Sequence, residues 1–137
     1  MGSEEEFLKD SYEFYRAAIK ELQEATREKN TVKLRDSAEK AWNAAVQAAN
    51  ALALKYTGLV PRSHYERRSA LREVEQKVPE LAKLGIYDRY AARSRLLHGE
   101  VFYEGVLDPN LLKIEIEKVF EFIEIAKAYI KPRGGAM

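Results

Sequence analysis

The apolar residues near the start of the chain recur with the 3.6-residue period of an α-helix, and this periodicity constrains the fold more than any other feature. Successive members lie four, three, four and three positions apart: Leu8, Tyr12, Tyr15, Ile19 and Leu22. Ser3 followed by Glu6 forms a capping box, and acidic residues fill the first turn, where the helix dipole favours negative charge. The pattern predicts a first helix of about 26 residues.

A second helix is predicted from Asn30 or Thr31, either of which can cap it, to Gly58, which stands where glycine commonly ends helices. Its contact face is mostly alanine: Leu34, Ala38, Ala41, Ala45, Ala48, Leu52 and Tyr56. Small residues let a neighbouring helix approach closely. We therefore expect the first two helices to form a tight antiparallel hairpin, with Trp42 flanking the seam.

A third, short helix is predicted after the loop that contains Pro61. Ser63 and Glu66 form a second capping box, and the helix runs through Lys77. Most of its residues are charged, and its only candidate anchors are Tyr65, Leu71, Val74 and Val78. We therefore expect it to lie on the surface of the molecule.

Pro79 opens a fourth helical stretch, because proline is favoured in the first turn of a helix. We expect this stretch to run to about His98 and Gly99, with a kink at Gly85. Its predicted inner face is Leu81, Leu84, Tyr87 and Ala91.

The last helix begins at the turn signal Asp108-Pro109-Asn110 and carries two apolar clusters. One consists of Leu112, Ile116, Val119, Phe120, Ile123 and Ile130, and the other consists of Leu111, Ile114, Phe122, Ile125 and Tyr129. The clusters lie roughly 120° apart on the helix, so the helix needs two packing partners. Either it lies deep in its own bundle, or its second face meets another subunit.

These helices, with no segment of period-two alternation, predict an all-α fold: a single up-and-down bundle of about five helices. The length of 137 residues fits one domain, which we place at residues 1–131, followed by a flexible tail at 132–137. No apolar run is long enough to cross a membrane, and the acidic N-terminus does not resemble an export signal. We expect a cytoplasmic protein that does not bind a membrane.

Charge is unevenly distributed along the chain. The formal net charge is only +1, which argues against a protein that coats nucleic acid over its whole surface. Residues 58–98, however, carry nine Lys/Arg and five Asp/Glu, and they also contain both histidines. This basic segment either binds a phosphate backbone locally or is a solvated face without a ligand.

Arg93 and His98 are the pair with the most distinctive chemistry. Arginine holds phosphate groups, and histidine exchanges protons near neutral pH, so together they can cut RNA with the ribose 2′-hydroxyl as the nucleophile. On an unbroken α-helix, however, residues five apart point about 140° from each other. The helix must break or bend between them, and Gly99 favours an end there. Alternatively, His98 interacts with the helix C-terminus and Arg93 and Arg95 are surface charges.

The spacing Arg93-x4-His98, with Leu96-Leu97 before the histidine and Gly99 after it, resembles the signature of HEPN domains. The continuation from Leu97 through His98, Phe102 and Tyr103 to Gly105 is similar to the corresponding segment of the PaREP-type archaeal subgroup of that superfamily. The resemblance implies a homodimer in which two such motifs face each other across a cleft. In many members it also implies a metal-independent endoribonuclease, with stress, defence or toxin–antitoxin roles.

Carried over by position, the resemblance implies that Arg93 holds the scissile phosphate. His98 transfers protons or orients the 2′-hydroxyl. Four further residues are candidates for supporting or RNA-binding roles: Arg95, Ser94, Arg89 and Tyr103.

A second hypothesis is a non-catalytic helical module that keeps the dimer and binds a nucleotide or a partner protein. Ser94 and Glu100, near the motif, and the near-zero net charge favour this module, whereas the arginine–histidine spacing and the basic segment favour the nuclease. His64, which lies inside the second capping box, is predicted to be a solvent-facing loop residue. No cysteine is present and no metal-ligand spacing occurs, so we predict no metal and no cofactor.

Overall fold

The computed structural model describes residues 3–103 and 108–131, except for the side chains of residues 102 and 103, and these residues are helical almost throughout. The helices are α1 (Glu4–Glu28), α2 (Thr31–Thr57), α3 (His64–Lys77), α4 (Pro79–Lys83), α5 (Ile86–Arg93), a π-helix (Ser94–Tyr103) and α6 (Pro109–Ile130). The all-α prediction is confirmed for this part of the chain, with six α-helices rather than about five. The predicted tail at 132–137 lies outside the described residues.

Helices α1 and α2 form the hairpin that the alanine pattern predicted. Both halves of the capping box at Ser3 and Glu6 are present, and Asn30 caps α2 by accepting a hydrogen bond from the backbone of Lys33. The alanines of the predicted contact face of α2 are fully buried. Across the seam, the hydroxyl of Ser11 donates to the carbonyl of Ala44 at 2.6 Å, which fixes the two helices against each other at close range.

Helix α6 packs against both α1 and α2 and completes the core. Its buried residues include Leu112, Ile116, Val119, Phe122, Ile123, Ala126 and Ile130. The two predicted clusters are therefore regrouped: Phe122 enters the core, whereas Phe120 is exposed at its edge and packs against Tyr15, with ring centroids 5.1 Å apart. Leu111 and Ile114 stay 56% and 46% exposed and leave part of the second face open.

The fourth stretch is divided rather than kinked. Gly85 adopts a left-handed conformation with φ of +67°, which ends one helix and starts the next in a rotated direction. As a result, Ile86 and Tyr90 are buried after the break, while Leu84 is exposed. The predicted inner face is correct for Leu81 and wrong at Leu84, because a single periodic line cannot continue through a left-handed residue.

The helical stretch continues past His98 and Gly99 as a π-helix to Tyr103, so the predicted end at this point is wrong. Gly99 is not among the residues with positive φ, and glycine commonly ends a helix through that conformation. Instead of ending, the helix changes from α-helical to π-helical hydrogen bonding at Ser94. Within the described residues, no helix is both long and apolar enough to cross a membrane.

Candidate functional site

The two histidines of the chain meet on one side of the bundle, against the ring of Trp42. His64 comes from α3 and His98 from the π-helix, and their ring centroids lie 5.8 Å apart. Each ring also packs on the buried Trp42 of α2, at 5.5 Å for His64 and 5.9 Å for His98. Three separate elements therefore build one imidazole pair, which we call the histidine pair.

His98 is held by a carboxylate and by the indole ring. Its Nδ1 lies 3.2 Å from Oε1 of Glu39, and its ring is stacked on Trp42 with an angle of 24° between the planes. The side chain is 24% exposed, so the ring is positioned but not sealed from solvent. A carboxylate at Nδ1 favours a proton on that nitrogen, which makes Nε2 the atom that accepts a proton from elsewhere.

His64 is fixed by an arginine on its own helix. Nη1 of Arg67 lies 3.2 Å from Nδ1 of His64, one turn earlier in α3. Partial burial lowers the pKa of His64, and electrostatic interactions with Arg67, His98 and Arg68 lower it further, against a smaller opposing effect of Glu39. The side chain is exposed, as the sequence predicted, but it lies in the first turn of a helix and contacts another functional candidate.

Arg67 is a buried residue in a helix that was predicted to be a charged surface helix. Its Nε donates to Oδ1 of Asn50 at 2.9 Å, and its Nη1 donates to the hydroxyl of Tyr90 at 3.3 Å. Leu71 and Val74 follow it at spacings of four and three and are also buried. This helical spacing is the sequence signal that could have identified Arg67. Tyr65, which was predicted as an anchor, is instead exposed.

Arg93 lies in a different environment. It is buried, and its Nη2 lies 2.7 Å from Oε1 of Glu115 on α6. Its Nε has no hydrogen-bond partner within the described part of the protein. Desolvation lowers the pKa of this guanidinium, and the carboxylate of Glu115 partly offsets that effect. The guanidinium of Arg93 is thus directed to α6, whereas Nδ1 of His98 is directed to α2.

The helix between Arg93 and His98 does not end. It changes at Ser94 to π-helical winding, in which hydrogen bonds join residues five apart. Residues at this spacing therefore lie more nearly above one another than they would on an α-helix. A π-helical segment inside an α-helical region often marks a functional site.

The four supporting candidates are placed differently from one another. Arg95 is highly exposed, with its Nε 3.5 Å from a carboxylate oxygen of Glu100. Arg89 is engaged, since it donates to the carbonyl of Leu84 at 2.8 Å and to Glu121 at 3.2 Å. Ser94 is half-buried at the junction of α5 and the π-helix, and the side chain of Tyr103 lies outside the described residues.

Cation ligands do not converge at the histidine pair. Over residues 3–103 and 108–131, no group of three or more His, Cys, Asp or Glu side chains is placed to hold a metal ion. The chemistry that the site offers is that of two imidazoles, a carboxylate and a buried guanidinium.

Comparison with known proteins gives one family. The profile of the Archaeal PaREP1/PaREP8 family matches residues 13–123, from the middle of α1 to the second half of α6. No curated protein and no solved structure gives a significant match to the chain. The matched region includes Glu39, His64 and His98.

Proposed function

We infer from this geometry that the chain, which belongs to the archaeal PaREP1/PaREP8 family, is a metal-independent endoribonuclease of HEPN-like architecture. The observation that carries the proposal is the contact between Glu39 and His98. A partly exposed imidazole with a carboxylate at Nδ1 is the arrangement that orients a histidine for proton transfer. The stress, defence or toxin–antitoxin role implied by the HEPN resemblance belongs to the same proposal.

The proposed reaction begins at the unprotonated Nε2 of His98, which acts as the base. Nε2 takes the proton of a ribose 2′-hydroxyl, and the 2′-oxygen attacks the adjacent phosphorus. A bond from phosphorus to the 2′-oxygen forms as the bond to the 5′-oxygen breaks, and the leaving 5′-oxygen takes up a proton from solvent water. The products are a 2′,3′-cyclic phosphate and a 5′-hydroxyl end. Glu39 stabilises the positive charge that develops on the imidazole.

The proposed nuclease is a homodimer in which Arg93 binds the scissile phosphate across a composite cleft. The ion pair with Glu115 keeps this guanidinium away from solvent, so Arg93 reaches a phosphate only when that pair opens. Glu115 lies on α6 one turn after the exposed Leu111 and directly after the exposed Ile114. A second subunit on this apolar surface would be close enough to disturb the pair.

A non-catalytic module is the second candidate function, and the burial of Arg93 favours it. A guanidinium that is buried and paired with a carboxylate is not available to a substrate, and its removal would leave Glu115 without a counter-charge. In that case the same dimer uses the cleft for a nucleotide or a partner protein.

Replacing His98 distinguishes the two functions. We expect purified protein, incubated with single-stranded and structured RNA in EDTA, to produce cyclic-phosphate ends. His98→Ala should lower the rate by at least about 100-fold, because general acid–base catalysis contributes about that much or more. Glu39→Gln should lower the rate by a similar factor, because an amide neither fixes the proton on Nδ1 of His98 nor stabilises the charged imidazole.

Glu73→Gln is the matched control. Glu73 is an exposed carboxylate paired with Lys77 on α3, and its replacement should leave cleavage unchanged. If wild-type protein produces no cyclic phosphate above background, or if His98→Ala cleaves as fast as wild type, the nuclease proposal is wrong and the non-catalytic module is favoured.

A further inference from the structure

We propose that His64 is a second catalytic residue, whose Nε2–H donates a hydrogen bond to a non-bridging oxygen of the scissile phosphate while His98 acts on the 2′-hydroxyl. This inference rests on the proposed function and adds a residue to it. It also gives the site a phosphate-binding group in the conformation in which Arg93 is paired with Glu115.

The tautomer of His64 follows from its contact with Arg67. A guanidinium donates hydrogen bonds and accepts none. At 3.2 Å from Nη1 of Arg67, Nδ1 of His64 must therefore be the acceptor, and the ring proton of the neutral imidazole lies on Nε2. His64 thus offers a donor, whereas His98, with Glu39 at its Nδ1, offers an acceptor.

The charges around His64 keep it in this neutral form. Burial disfavours a positive charge on the ring, and so do Arg67 and Arg68 of α3 and, when it is protonated, His98 of the π-helix. Glu39 of α2 opposes them. His64 therefore remains a neutral donor at pH values where an ordinary histidine begins to take up a proton.

The separation of the rings suits one phosphodiester. The ring centroids lie 5.8 Å apart, which is within the span of one ribose and its 3′-phosphate, so two different oxygens of a single nucleotide can each lie about 3 Å from the Nε2 atom of one ring. One such atom is the 2′-oxygen and the other is a phosphoryl oxygen on the same nucleotide. A fixed donor at an oxygen that gains negative charge stabilises the transition state.

Arg67 acts as a positioning residue. Arg67 is buried and hydrogen-bonded to Asn50 and Tyr90, which fixes its position. Its contact with Nδ1 of His64 leaves Nε2 of that ring for the substrate. The buried positive charge also polarises the Nε2–H bond and makes it a stronger donor.

The tautomer is tested directly by nitrogen NMR of the imidazole rings at pH 7. We expect the signals of His64 to show a protonated Nε2 and an unprotonated Nδ1, and Arg67→Lys to weaken that preference. A proton on Nδ1 of His64, or a charged ring at pH 7, would overturn the inference whether or not the protein cleaves RNA.

The catalytic role is tested with three variants of the full chain. His64→Ala should lower kcat by about 100-fold, the cost of one lost transition-state donor, with a smaller change in KM. His64→Gln retains an amide donor and should keep kcat within about tenfold of wild type. Glu73→Gln, on the same helix and at a surface carboxylate paired with Lys77, is the control, and circular dichroism establishes that each variant is folded.

An RNA methylated at every 2′-oxygen separates failure of this inference from failure of the nuclease proposal, since it lacks the nucleophile. If RNA is cleaved but His64→Ala retains the wild-type kcat, the inference is wrong and the nuclease stands. If RNA is not cleaved, but the methylated RNA shifts the Nε2 signal of His64 and binds about tenfold more weakly to His64→Ala, the nuclease is wrong and phosphate binding by His64 stands. If the methylated RNA has no effect on His64, the inference is overturned.

Discussion

Arg93 and Glu115 are two opposite charges removed almost completely from water, with side chains 5% and 17% exposed. Taking such groups out of water costs several kcal/mol, which their mutual attraction offsets only while both are present. The loss of one partner should therefore lower the free energy of unfolding more than the replacement of both partners by apolar residues.

A double-mutant cycle should show this asymmetry. Glu115→Gln leaves a buried guanidinium without its counter-charge and should lower the free energy of unfolding by about 3 kcal/mol. Arg93→Met combined with Glu115→Leu should recover most of that loss, as measured by denaturant unfolding. A loss below about 0.5 kcal/mol for Glu115→Gln, the level of a solvated surface pair, would show that the ion pair contributes little.

The same double variant bears on function. If it folds and still cleaves RNA, Arg93 serves the fold alone. If it folds and cleavage is lost, Arg93 takes part in the reaction as the HEPN resemblance implies.

At the residue scale, the sequence singled out His98 but not its surroundings. Glu39 is 59 positions from His98, and Asn50 is 17 from Arg67, so neither contact leaves a local pattern. Such contacts depend on how α2, α3 and the π-helix pack together. The histidine pair was missed for the same reason, because only tertiary structure brings His64 to His98.

At the element scale, helix starts were predictable because capping is local chemistry. Ser3, Asn30, Ser63 and Asp108 all cap through their side chains, as expected. The second capping box differs in one half, since the side chain of Glu66 accepts from the backbone of Arg62, at 2.7 Å, one residue before the cap. The helix end near His98 was not predictable, because the change to π-helical winding has no counterpart in a pattern of period 3.6.

Two glycines in this region should respond oppositely to alanine. Gly85 has φ of +67°, which costs an L-residue about 1–2 kcal/mol, so Gly85→Ala should lower the free energy of unfolding by about that amount. At Gly99, a Cβ would meet only the carbonyl of Ser94, at an ordinary contact distance of 3.8 Å. Gly99→Ala should therefore be neutral or stabilising by up to about 1 kcal/mol.

Thermal unfolding of the two variants, followed by circular dichroism at 222 nm, checks this contrast. Equal destabilisation by both changes would contradict the assignment of Gly99 to the interior of a helix.

At the scale of the whole molecule, Leu111 and Ile114 are an apolar surface on α6 that the single chain leaves open. If the proposed dimer uses this surface, Ile114→Glu should convert it to a monomer, because an interface loses affinity when a charge is buried without a partner. Leu59→Glu, at a more exposed leucine in the connection between α2 and α3, should leave the dimer intact. Sedimentation equilibrium of wild type and both variants measures the result.

A monomeric wild-type protein would contradict the dimer itself. A dimer that persists in Ile114→Glu would place the interface on another face of the bundle.

Trp42 is the only tryptophan of the chain, and it lies in ring contact with both histidines. Its fluorescence therefore comes from one place, directly beneath the candidate site. A charged imidazole quenches the fluorescence of a neighbouring indole more effectively than a neutral imidazole does. The fluorescence of Trp42 therefore reports the protonation of the histidines, and the binding of any ligand beside their rings, without a label or a substitution.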